Sequence, residues 1–79
     1  MQVTVVGVSR KVSEGEYEGF RYANRSLYVV YTVSGCEGQV AERFKIPERI
    51  NDLSSVHVGD TVNVEFNRFG KVVDVNVVQ

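Results

Sequence analysis

The 79-residue chain has little of what many small proteins use to hold themselves together. Its one cysteine, Cys36, excludes an internal disulfide and a thiolate zinc site. Its one histidine, His57, leaves no histidine cluster, and tryptophan is missing altogether. No apolar run approaches the roughly 18 residues of a transmembrane helix. No basic-then-apolar signal segment opens the chain, so the expected location is the cytoplasm. Charge of one sign is also missing: nine Lys and Arg stand against ten Asp and Glu, a formal net charge of −1. Leucine, isoleucine and alanine occur only twice each, whereas valine occurs eighteen times. An apolar content dominated by a β-branched residue is written for strands. The expectation is a single small β-barrel domain over residues 1–79, held by packing alone.

Hydrophobic alternation marks five runs. In Gln2–Val12 the apolar parity flips at Val6-Gly7, which predicts a bulge and a bend. Residues 13–19, SEGEYEG, read as a polar loop. Phe20–Val33 is a long strand with Leu27, Val29, Tyr31 and Val33 on one face and Tyr28, Val30 and Thr32 on the other. Ser34–Gly38 reads as a hairpin turn into Gln39–Ile46, where Val40, Phe44 and Ile46 oppose Ala41, Arg43 and Lys45. Pro47 and the i, i+3 pair Ile50 and Leu53 predict one or two helical turns over 47–54, with both apolar side chains inward. In the fourth run Val62, Val64 and Phe66 point in. A hairpin at Asn67–Gly70, with Gly70 at positive φ, leads to Lys71–Val78. There Val73, Val75 and Val77 share one face, and Val72, Asp74, Asn76 and Val78 the other.

Five strands on so short a chain need to close or pack to hide their edges. The expected fold class is all-β with one short helix, a five-stranded barrel of the oligonucleotide/oligosaccharide-binding type (OB-fold). The helical segment between the third and fourth runs and the bent first strand favour it. An SH3-like barrel, with its helical turn between strands four and five, is the alternative.

No catalytic constellation stands out. His57 has no nucleophile motif beside it, and nothing near Cys36 would lower its pKa. Glu14, Glu16 and Glu18 lack the spacing of a calcium loop, and no glycine-rich phosphate loop is present. The reading is a non-enzymatic binding module without metal, cofactor, membrane or small-molecule substrate. Basic and aromatic residues do interleave: Arg21, Tyr22, Arg25 and Tyr28 on the second run, Arg43 and Lys45 on the third, and Arg68, Phe69 and Lys71 around the last hairpin. Such residues on these elements suit single-stranded nucleic acid, gripped by stacking and by phosphate neutralisation. The near-neutral charge weighs against this, since nucleic-acid binders are usually basic. The competing reading is a protein-interaction or assembly module, motivated by outward-facing Val30, Val72 and Val78.

The valine-rich start, the loop into Phe20-Arg21-Tyr22, the Tyr28–Val33 strand and the Phe69-Gly70 hairpin resemble the small single-stranded DNA-binding proteins of filamentous phages and conjugative mobile elements. That resemblance implies a homodimer with Phe69 on a dimerising hairpin arm. It also implies a strand-binding surface carrying Arg21, Tyr22 and Tyr28.

Overall fold

The computed structural model describes residues 1–78. Six antiparallel strands make one sheet: β1 (Gln2–Val8), β2 (Ser13–Tyr17), β3 (Phe20–Tyr31), β4 (Val40–Pro47), β5 (Thr61–Phe66) and β6 (Val72–Val77). β3 organises it. One edge of β3 pairs with β1 along Leu27–Val30 and with β2 along Phe20–Asn24, while β4 runs along the other edge from Asn24 to Tyr31. β1 also pairs with β5, and β5 with β6. No ladder joins β4 to β6, so the sheet is open.

The core follows the alternation. Val3, Val5, Leu27, Val29, Ile46, Val62, Val64 and Val75 are buried on one face, with Val8, Tyr31, Phe44, Val72 and Val77 packed against them. The parity flip at Val6-Gly7 is a real bulge: the β1–β3 register shifts between Val5 and Gly7, leaving Val6 half exposed and Val8 on the core side. Across the gap between β4 and β5, the rings of Phe44 and Phe66 meet edge to face at 5.4 Å.

Three expectations need correction. The segment 13–19 is largely strand β2, because Glu18 (φ 49°) and Gly19 (φ 82°) make a two-residue turn whose twist matches antiparallel strands. The strand count is therefore six.

Second, among the described residues there is no helix. The Pro47 carbonyl accepts from the Ile50 and Asn51 amides at 2.9 and 3.2 Å, which is one helical turn. Asn51 then ends it: its Oδ1 accepts from the Leu53 amide at 2.8 Å and its Nδ2 donates to the Val75 carbonyl at 2.8 Å. Such local side-chain bonds compete with the helical ladder. Leu53 adopts a left-handed φ of 62°, which places its side chain in the core beside buried Val56, while Ile50 is half-buried.

Third, Val72 faces the core and Val73 faces out, because the β5–β6 register slips between Glu65 and Phe66.

Arg10, which carried no weight in the sequence, pins this connection. Its guanidinium donates to the Leu53 and Val56 carbonyls at 2.6 and 2.7 Å, and its own carbonyl accepts from Arg25 at 2.6 Å. Hydrogen bonds from charged donors contribute roughly 1.5–3 kcal/mol each, less where solvent reaches them. Arg10→Ala is therefore expected to destabilise the fold by about 2 kcal/mol. Urea unfolding monitored by circular dichroism measures this, and an unchanged midpoint would mean that the two carbonyls are satisfied equally well by water.

Candidate functional site

On β3 the side chains alternate between the core face and an open face. The open face carries Phe20, Tyr22, Asn24, Ser26 and Tyr28 at every second position. Each tyrosine lies over a glycine on the neighbouring strand. Tyr28 pairs with Gly7, where an added Cβ would sit 3.2 Å from the Tyr28 ring. Tyr22 pairs with Gly15, where an added Cβ would overlap the Tyr22 hydroxyl. A ring laid over a glycine covers bare backbone and keeps its other side towards solvent; Tyr22 and Tyr28 remain 47% and 43% exposed. Tyr17 and Phe20, paired across the tip of the β2–β3 hairpin, extend this face and are 71% and 78% exposed.

The cations come from β4. Arg43 lies directly opposite Tyr28, and Lys45 opposite Ser26, so both share the open face. Both are exposed, and neither forms an ion pair among the described residues. They also border an open cleft of about 770 Å³ between β4 and the β5–β6 hairpin, together with Phe44, Phe66 and Lys71. Glu42 is the one carboxylate among the described residues that lines that cleft, and it accepts from the Tyr31 hydroxyl at 3.2 Å. Partial burial, and then that carboxylate, push the Tyr31 phenol above its ordinary range.

At the hairpin tip, Asn67 Oδ1 accepts from the amides of Phe69 and Lys71 at 2.9 and 3.0 Å, and Gly70 takes φ 76°, as its turn position requires. Phe69 is 72% exposed, with the Arg68 guanidinium 4.9 Å above its ring.

The nine residues singled out in the sequence thus divide. Tyr22, Tyr28, Arg43 and Lys45 share the open face. Lys71 joins the last two at the cleft, and Arg68 and Phe69 stand at the hairpin tip. Arg21 and Arg25 alternate to the opposite face of β3. Arg21 sits across from Glu16. Arg25 is held by the Arg10 carbonyl and by Glu48, 3.4 Å away, in the one ion pair among the described residues. Tyr17, which the polar run 13–19 hides, and Phe20 join the open face through the β2–β3 pairing.

Other chemistry-bearing groups stand apart. Cys36 is exposed in the β3–β4 turn, and His57 is exposed with its backbone amide donating to Asp60 at 2.9 Å. Hydrogen bonds from Ser54 hold the Asp52 carboxyl below its usual range. No three His, Cys, Asp or Glu side chains among the described residues come together as metal ligands, and no helix among them is long and apolar enough to cross a membrane.

The fold and site define an all-β protein with an open antiparallel sheet and an aromatic and basic strip along its central strand. No protein-family model, curated protein or solved structure matches the chain.

Proposed function

We propose that this protein binds single-stranded nucleic acid along the open face of β3 and β4, without catalysis. The observation that carries the reading is the row Phe20, Tyr22 and Tyr28 on one strand face with Arg43 and Lys45 beside it. Bases stack on exposed rings whatever their sequence, and flanking cations neutralise the phosphates. Two of the hairpin's three glutamates do not oppose this. Glu14 pairs with Ala23 and Glu16 with Arg21, which places both on the face opposite Tyr22. The near-neutral net charge is therefore compatible with a locally basic strip.

The framework we infer is OB-like, with β1 and β2 acting as one interrupted first strand that pairs with two neighbours, and Phe44 and Phe66 holding the unbonded side together. In such barrels the ligand crosses the second and third strands and the last hairpin. Those elements correspond here to β3, β4 and the Arg68–Phe69 tip.

The test is a fluorescence-anisotropy titration with a labelled oligo-dT at low salt. Stacking contributes roughly 1–3 kcal/mol per base, so the double variant Tyr22→Ala/Tyr28→Ala is expected to lose at least about tenfold in affinity. Its circular dichroism should stay that of the native protein, because both rings lie outside the core. Absence of salt-sensitive binding by the unsubstituted protein would end the proposal.

A further inference from the structure

We propose that the acidic β2–β3 hairpin of one copy docks against the basic cleft of a second copy, and that this contact competes with nucleic acid. The inference rests on the binding reading above in one respect only: it uses Arg43 and Lys45 as the shared surface.

The hairpin is an arm. β2 touches no strand except β3, and the molecule extends 44 Å along its longest axis against 26 and 19 Å along the others. Charge differs between the arm and the cleft. The arm, residues 13–24, carries Glu14, Glu16 and Glu18 against Arg21 alone. Among the described residues the cleft between β4 and the last hairpin carries Arg43, Lys45 and Lys71 against Glu42.

None of these side chains is engaged in an ion pair among the described residues. The two surfaces therefore carry net charge of opposite sign on different elements. The spacing also matches. Glu14 and Glu16 are two residues apart on one strand face, and Arg43 and Lys45 are two apart on another, so each pair presents charges about 7 Å apart. A second copy can thus set two carboxylates against two cations at once, while exposed Tyr17 and Phe20 lie on the other face of the arm. Complementary charge of this kind fixes partner and register more than it adds raw affinity. A salt-sensitive association is the expected consequence.

Sedimentation velocity of the full chain at rising concentration tests the inference. In low salt the weight-average mass is expected to rise with concentration, and high salt should reverse it. Either variant, Glu14→Gln/Glu16→Gln/Glu18→Gln or Arg43→Gln/Lys45→Gln/Lys71→Gln, should weaken association at least about tenfold. Their equimolar mixture should recover part of it, because it contains one intact arm and one intact cleft. A short oligo-dT should dissociate the unsubstituted assembly. A protein that stays monomeric in low salt, a glutamine variant that associates like the parent, or a mixture without recovery would overturn the contact. Association that persists in the presence of bound oligo-dT would overturn the competition. If oligo-dT does not bind but the two variants and their mixture behave as expected, the nucleic-acid reading fails and the arm contact stands.

Discussion

Leu53→Ala is expected to destabilise the protein by about 2–5 kcal/mol, the range for removing a buried leucine side chain. A 79-residue protein has a total stability of roughly 4–12 kcal/mol, so the variant forfeits a large share of it. Leu53 is fully buried, and it reaches the core from a loop rather than from a strand. Its left-handed φ of 62° is strained for any residue with a Cβ, and alanine keeps that strain while losing the packing that offsets it. The neighbouring carbonyls cannot move in to fill the space, because Arg10 holds them. Ile50→Ala, at a half-buried position of the same connection, should cost less than half as much. Urea unfolding of the two variants side by side measures the ratio. Equal losses would mean that the connection contributes as a generic apolar cover rather than through one inserted side chain.

Arg43→Glu/Lys45→Glu should leave stability almost unchanged and remove most nucleic-acid affinity. Both side chains are exposed, neither is paired among the described residues, and surface charges contribute little to folding. Binding is a different matter. On a single strand each neutralised phosphate adds about 0.7 to the slope of log affinity against log salt. Losing two such contacts should lower that slope by about 1.4, and reversing both charges should weaken low-salt affinity at least about a hundredfold. Anisotropy titrations at several salt concentrations check both numbers. A variant with unchanged affinity would place the phosphate path elsewhere, with the Lys71 and Arg68 hairpin as the next candidate. Tyr22→Ala/Tyr28→Ala should act on affinity while leaving the salt slope alone, since stacking releases no counterions. The two variants together therefore separate the ring contribution from the charge contribution.

Much of the strand architecture was legible in the sequence because period-two alternation is a local signal. Eighteen valines, alternating in short runs, dictate which face of each strand is buried, and Val3, Val5, Val29, Val62, Val64 and Val75 are where alternation puts them. The Val6-Gly7 bulge and the positive φ of Gly70 were legible for the same reason: each depends on only a few neighbouring residues. That Arg43 and Lys45 would share a face with Tyr28 followed from pairing the two central runs, whereas the register that sets Arg43 directly opposite Tyr28 is decided by the β3–β4 ladder.

What the tertiary structure decided depends on distant partners. The helical turns expected over 47–54 gave way after one turn because Asn51 bonds to the Val75 carbonyl, twenty-four residues away, and Arg10 holds the Leu53 carbonyl, forty-three residues away. Arg25 looked like a binding cation and became structural because folding brings the Arg10 carbonyl and Glu48 to it. Val72 reads as outward by parity, and a one-residue slip in the β5–β6 register turns it to the core. The hairpin at 13–19 reads as polar loop because its strands bury nothing; only pairing with β3 makes it an arm and aligns Tyr17 and Phe20 with Tyr22 and Tyr28. Composition and alternation are local and determined the strands, whereas the strip, the cleft and the arm arise from contacts between residues far apart in the chain.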